Sequence, residues 1–315
     1  MCEVKEDIYN IAYSIEWDDW FDVNMNIKVA TSAIRSPLKS LEFITLKVKD
    51  AICDNFVNKM QQRPNVDKHE PDIRIYNFLT QDTITIYIDT SGEALFKRGY
   101  RSHHQEAPLK ENLAAGLIQL SGWDYVTPLF DPMCGSGTLI VEATMMALNI
   151  APGLSRKFAF EKLHNFAQST WDNMKFEAKQ AIIKNSNLKI YASDINPKAI
   201  INTDKNLQHA RLREYVDYKE ADFLHSSPPQ TTGTLITNPP YGVRLSEQQE
   251  LVALYPKIAT HLKHNFCGWN CYFFTADLSM PKLMRLKPSK KTPLFNGALE
   301  CRLYEFKMVS GSNRK

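Results

Sequence analysis

The stretch TNPPYGVRL, Thr237 to Leu245, follows the apolar run Gly233-Thr-Leu-Ile. Proline lacks the N–H that a sheet ladder needs and fixes φ near −65°, so Pro239 and Pro240 are poor strand material. The residue types suit the alkylation of an amino group attached to an aromatic base. Such an amine delocalises its lone pair into the ring and is a poor nucleophile. The side-chain oxygen of Asn238 and the backbone carbonyl of Pro239 can accept its two hydrogens. Those bonds favour a pyramidal nitrogen whose lone pair points at the incoming group. Pro239 and Pro240 hold the carbonyl rigidly, which is preorganisation. Tyr241 can stack on a base turned out of its helix, and Gly242 relieves crowding at the turn. The plain alternative is an ordinary Asn-Pro turn.

Three acids upstream extend this chemistry. In LFDPMCGSGTLIVEA a buried strand ends at Asp131, a tight turn holds Gly135 and Gly137, and a helix begins near Thr138. Ligands of open α/β sheets bind beyond the carboxyl ends of strands, where glycines admit close approach and helix N-termini offer free N–H groups. Asp131 suits a cationic amine there and suits a pyrophosphate poorly. The dinucleotide fingerprint wants a third small residue where Ile140 stands, which disfavours NAD. In LKIYASDINPKAI a second strand ends at Asp194, placed for two ribose hydroxyls, or else for capping the helix that starts near Pro197. Asp222 precedes Phe223 in KEADFLH. An acid beside an aromatic can accept from an adenine amino group while the ring packs on the base; taken alone, it is a loop acid. Amine, ribose and adenine in that order are the groups of S-adenosylmethionine.

These residues need strands to end where they stand. After residue 107 the chain alternates helix (LKENLAAGLIQL), strand (TPLFD), helix (TLIVEATMMALNI) and later strands (LKIYAS, GTLIT) with helices between. That rhythm predicts a parallel, doubly wound α/β sheet over residues 108–315. Before it, residues 7–60 look like helix, strand, helix, and 73–78 and 83–90 alternate like paired strands. A small α+β module over residues 1–96 follows, joined by a polar linker at 97–107. Residues 150–170 look like an insertion or lid.

Composition bounds the rest. The 315 residues are 43% hydrophobic and 23% charged with a net charge of +3, which permits an anionic partner without demanding one. No run is long enough to span a membrane, and the N-terminus has no signal-peptide core. A soluble, cytoplasmic protein is expected. Six scattered cysteines do not form a disulfide framework. His261, His264, Cys267 and Cys271 have the types of a zinc site, yet they spread over a helix end and a strand, so no metal is expected. The run Lys282, Arg285, Lys287, Lys290, Lys291 can touch phosphates or simply face solvent. Arg98 and Arg101, near the domain junction, are the better candidates for contacts to an anionic partner.

DPMCGSGTLIVEA, SDINPKAI and TNPPYGVRL resemble the class I, S-adenosylmethionine-dependent RNA methyltransferases that carry a THUMP domain. RPNVDKHEPDIRI, SGEALFKRGYR, APLKENLAAGLI and FNGALECRLYEF extend the resemblance over nearly the whole chain, toward bacterial 23S rRNA guanine-N2-methyltransferases. The resemblance implies a THUMP module that captures RNA and a Rossmann-like, mostly parallel sheet with an antiparallel C-terminal strand. It assigns Asp131, Gly135 and Gly137 to the methionine end, Asp194 to the ribose, Asp222 and Phe223 to the adenine, and Asn238 to Tyr241 to the target base. The expected partner is RNA, namely 23S rRNA or a large-subunit assembly intermediate. Family members usually begin with a further small segment, so RNA capture is where this chain departs from the pattern. In some relatives a second methyltransferase follows. Adenine-N6 or cytosine-N4 methylation, or RNA binding without catalysis, are the competing functions, because NPPY serves all three amines.

Overall fold

The computed structural model describes residues 3–101, 109–185, 187–240 and 245–309. The chain forms two compact units that are not continuous in sequence. The first comprises residues 1–95 and 156–175, the second residues 96–155 and 176–315.

In the first unit, α1 (Glu3–Tyr13) and α2 (Leu41–Met60) accompany a three-stranded sheet of β1 (Ile27–Ala33), β2 (Ile73–Leu79) and β3 (Ile84–Ile88), in the order β1-β2-β3. β1 runs parallel to β2, and β2 antiparallel to β3. Ser40 caps α2 by accepting from the Phe43 N–H at 3.3 Å. Trp17, Phe21, Ile44, Val48, Ile52, Phe56, Ile73 and Ile75 form the core. Of residues 150–170, read from sequence as an insertion or lid, those from Arg156 on belong to this unit, which extends to Lys175. Leu163 is buried in its core, Lys162 pairs with Asp72, and the His164 N–H donates to Trp20 O at 2.9 Å. Phe158, Phe160 and Trp171 pack on one another, with ring centroids 5.0–5.6 Å apart. An aromatic-rich insertion is held by burial, which is why it folds onto a core and does not stand free as a cover.

The second unit is built on a seven-stranded sheet. Its strands are β4 (Leu129–Asp131), β5 (Ile190–Asp194), β6 (Val216–Glu220), β7 (Gly233–Thr237), β8 (Trp269–Thr275), β9 (Lys290–Asn296) and β10 (Leu299–Lys307). The order is β6-β5-β4-β7-β8-β10-β9. β4 to β8 pair in parallel, and β10 is antiparallel to both neighbours. The helices are α3 (Glu111–Ser121), α4 (Thr138–Ala147), α5 (Gln168–Gln180, which begins in the first unit), α6 (Pro197–His209), α7 (Leu245–Asn265) and α8 (Met280–Met284).

Strand residues alternate between two cores. Leu129, Ile190, Ala192, Val216 and Ile236 pack with α3, α4 and α6. Phe130, Leu235, Cys271 and Phe273 pack with α7 and α8. A parallel sheet covered on both faces needs apolar residues at every position, which is why LFD, IYAS and TLIT carry almost no polar alternation. The fold is the expected Rossmann-like α/β sheet preceded by a small α+β module.

Candidate active site

β4 lies between β5 and β7. The chain leaves β4 toward β5 on one side and leaves β7 toward β8 on the other. The carboxyl ends of β4 and β7 are therefore the topological switch point, where open α/β sheets leave a crevice for ligands. Asp131 ends β4 and Thr237 ends β7, immediately before Asn238-Pro239-Pro240. A hydrogen bond joins them: Thr237 Oγ1 donates to Asp131 Oδ1 at 2.7 Å. The same oxygen accepts the Met133 N–H at 3.2 Å. Asp131 is 1% exposed. Burial raises its carboxyl to about 7; the bonds from Thr237 and Met133 pull the other way, and Asp194 adds to the rise.

A cavity of about 450 Å³ opens at these strand ends, lined by Met133, Gly135, Asp194, Ile195, Asp222, Phe223, Asn238 and Pro240 among others. Asp194 Oδ2 accepts the Gly135 N–H at 2.9 Å, tying the end of β5 to the glycine turn after β4. Its Oδ1 accepts the Asn196 N–H at 2.9 Å. The helix cap is Asn196, which accepts from the Lys198 N–H at 3.0 Å, so the alternative reading of Asp194 as the α6 cap is corrected. Asp222 Oδ1 accepts the Leu224 N–H at 2.9 Å, and Oδ2 lies 2.7 Å from His225 Nδ1. Phe223 lines the cavity from the core, 3% exposed, and packs against Phe130, His261 and Phe266. Asn238 is half-buried and Pro240 exposed.

Some expected residues are not at the cavity. Asp131 lies buried beneath the strand ends, and Pro239 is buried without lining the cavity. Gly137 is the residue before α4, with φ +76°; a Cβ there would meet Thr203 Cγ2 at 2.8 Å, so only glycine fits. Tyr241 lies outside the described residues. Arg98 and Arg101, the RNA-contact candidates, are engaged within the fold. Arg98 pairs with buried Glu142, Nη2 to Oε2 at 3.3 Å, and the Tyr100 hydroxyl donates to Glu142 at 3.3 Å. Arg101 donates to Leu109 O at 2.8 Å and to Thr138 Oγ1 at 3.0 Å, and its Nε lies 3.4 Å from Glu111. Two buried carboxylates require counter-charges, and the arginines supply them. Burial raises the Glu142 carboxyl, and Arg98 opposes that rise.

The zinc-like set is dispersed. Cys271 is buried inside β8, Cys267 is exposed, and His261 packs edge-on against Phe223 and Phe266. Among the described residues no group of three or more metal-ligating side chains exists. Lys282, Arg285, Lys287, Lys290 and Lys291 of the basic run are all exposed.

Sequence reasoning missed Ile195, Met133 and Leu254 as cavity walls, and Thr237 as the partner of Asp131. Ile195 carried a signal: an isoleucine beside a strand-end acid, 67% exposed in the fold. The other three needed tertiary adjacency.

Fold and site together define a Rossmann-like methyltransferase unit preceded by a THUMP unit. Residues 98–305 match the family described as RMKL-like, methyltransferase domain, and residues 3–89 match the THUMP domain. The chain belongs to the RMKL-like methyltransferase domain family. It is 39% identical over 319 residues to the ribosomal RNA large subunit methyltransferase K/L of Shewanella sp. (strain MR-4), covering 100% of this chain and 45% of that protein. Against the protein of the same name from Psychromonas ingrahamii, identity is 40%, over 96% of this chain and 41% of that one. The chain thus spans less than half the length of these relatives. Among solved structures, SMU.472, described as a candidate methyltransferase complexed with SAH, superposes with TM-score 0.85 at 30% identity, covering 98% of this chain and 81% of that one. A protein from Listeria monocytogenes described as a predicted N6-adenine-specific DNA methylase superposes with TM-score 0.84 at 27% identity, covering 96% and 79%. The names of these relatives differ on the acceptor. Among the described residues, no helix is long and apolar enough to cross a membrane.

Proposed function

We propose that this chain transfers a methyl group from S-adenosylmethionine to the exocyclic N2 amine of a guanine in RNA, with 23S rRNA as the substrate. The observation that carries the reading is the 450 Å³ cavity where Asp194, Asp222 and Asn238 meet at three strand ends. The donor set fits the methyl donor. Asp194 is fixed by two backbone N–H groups and keeps lone pairs for ribose hydroxyls. Ile195, Phe223 and Leu254 offer apolar walls for a base. When bound, S-adenosylmethionine supplies an electrophilic methyl group whose bond to sulfur breaks as the bond to nitrogen forms.

The remaining work belongs to the chain. Asn238 accepts from the target amine and turns its lone pair toward the pocket. Pro239 and Pro240 restrict the backbone, so that geometry exists before substrate arrives. Thr237, anchored on Asp131, fixes where the Asn238 backbone leaves β7. The amine proton leaves to solvent once the nitrogen is alkylated. An RNA acceptor is favoured over DNA by the ribosomal relatives and the THUMP unit.

Two variants separate binding from turnover. Asp194→Ala should weaken S-adenosylmethionine binding at least tenfold, since charge-assisted hydrogen bonds are worth about 1.5–3 kcal/mol each. Asn238→Ala should retain that affinity and lose on the order of a hundredfold in single-turnover rate, by analogy with preorganised oxyanion donors. Calorimetry and rapid-quench kinetics on both variants decide it. If Asn238→Ala turns over at the wild-type rate, the motif is only a turn.

A further inference from the structure

The β9–β10 hairpin carries exposed side chains that the site above does not use, and sheet register fixes its height. Thr237 is level with Phe273 of β8, Phe273 with Tyr304 of β10, and Tyr304 with Lys291 of β9. Phe295 comes four residues further along β9, opposite Glu300. At about 3.4 Å per residue it stands about 13 Å beyond the level of Thr237, on the side where the parallel strands end. β7 and β9 are three strand spacings apart, about 14 Å. The hairpin tip is thus about 19 Å from the end of β7, the rise of five or six stacked nucleotides at about 3.4 Å each.

The tip is a tight one. Asn296 faces Leu299 across the two-residue loop Gly297-Ala298, with φ +66° at Gly297 and no positive φ at Ala298. That is the hairpin turn with glycine first, which needs nothing apolar beside it. Nevertheless Phe295 is 64% exposed and Leu299 48%. They emerge on opposite faces, because Phe295 shares a face with Lys291 and Tyr304, and Leu299 with Cys301 and Leu303. Both lysines of β9 are exposed, Lys291 on the Phe295 face and Lys290 on the opposite one, and β9 contains no carboxylate. Glu300, opposite Phe295, is paired with Arg302. An exposed ring with a lysine on the same strand face is the pattern of single-strand nucleic-acid surfaces, where bases stack on aromatics and phosphates meet cations. A purely apolar protein contact has no use for the lysine.

We infer that Phe295 stacks on an RNA base about five or six nucleotides from the target guanine, with Lys291 on a phosphate of the intervening strand. This rests on the RNA-methyltransferase reading and adds the surface that holds RNA beside the pocket. It places the hairpin tip and the methyl-transfer site as two ends of one binding track on the second unit.

The test uses the full chain and unmodified 23S rRNA transcript, with S-adenosylmethionine affinity and the thermal midpoint as controls. Phe295→Ala should raise the KM for RNA about tenfold or more and leave both controls unchanged. Phe295→Trp should restore wild-type behaviour. Lys291→Gln should reduce the slope of log affinity against log salt by about one. A KM for Phe295→Ala within twofold of wild type overturns the inference. So does loss of self-association by Phe295→Ala with RNA affinity unchanged, which makes the tip a protein contact. If the wild-type chain methylates no RNA, the proposed function fails, and transcript gel shifts still read the tip: equal affinity of wild type and Phe295→Ala overturns the hairpin inference on its own.

Discussion

Burial lifts the Asp131 carboxyl to about 7, and this has a consequence for stability. Its folded pKa lies above the unfolded value of about 3.9, so the native state holds a proton that the unfolded chain releases between those limits. Stability contributed by this group is therefore full at low pH and is lost as pH rises toward about 7. Asp131→Asn keeps an acceptor for Thr237 and cannot ionise. Relative to wild type, the variant should gain on the order of 2 kcal/mol between pH 5 and pH 8. Urea unfolding at the two pH values measures this, and a pH-independent difference means that Asp131 ionises like an ordinary aspartate. The position of Asn238 and of the two prolines after a strand was legible in the sequence, because prolines are poor strand material. The Asp131–Thr237 bond was not. It joins residues 106 positions apart and exists only because β4 and β7 are neighbours.

Elements succeed or fail by the same test of locality. The buried strands of the second unit were legible from short apolar runs ended by Asp or Asn-Pro, and α4 from its glycine turn. The setting of Arg98 and Arg101 was not, because a polar run with two arginines looks solvated. Their partners, Glu142 in α4 and Glu111 in α3, sit in otherwise apolar helices and are 2% and 4% exposed. Removing one member of a buried pair typically costs about 3–5 kcal/mol, since the other charge is left without compensation. Arg98→Met should therefore lower the thermal midpoint of the methyltransferase unit by on the order of 10 °C. Arg98→Met combined with Glu142→Gln should recover much of that loss. A midpoint for Arg98→Met within a degree or two of wild type would show that the pair is not structural and return Arg98 to the candidates for RNA contact.

The two units exchange chain. Residues 156–175 depart from the second unit's sequence and fold with the first, bringing Leu163 into its core and Phe158, Phe160 and Trp171 into one cluster. A reading from sequence expects domains to be contiguous, and nothing local in LSRKFAFEKLHNFAQSTW says which core its aromatics join. The consequence is practical. Deleting residues 1–95 alone should strand these aromatics in water and give a protein that binds a hydrophobic dye and aggregates. Deleting 1–95 and replacing 156–175 by a short Gly-Ser linker should give a soluble methyltransferase unit. Dye fluorescence and size-exclusion chromatography distinguish the two; equal solubility would mean that the insertion does not depend on the first unit.

The central claim is the reaction itself, and product identity tests it most directly. Unmodified 23S rRNA is incubated with the chain and methyl-labelled S-adenosylmethionine, digested to nucleosides, and resolved by chromatography and mass spectrometry. The account predicts labelled N2-methylguanosine with wild type and none above background with Asn238→Ala. Label in N6-methyladenosine or N4-methylcytidine, or no label in any nucleoside while cofactor binding is intact, would contradict it.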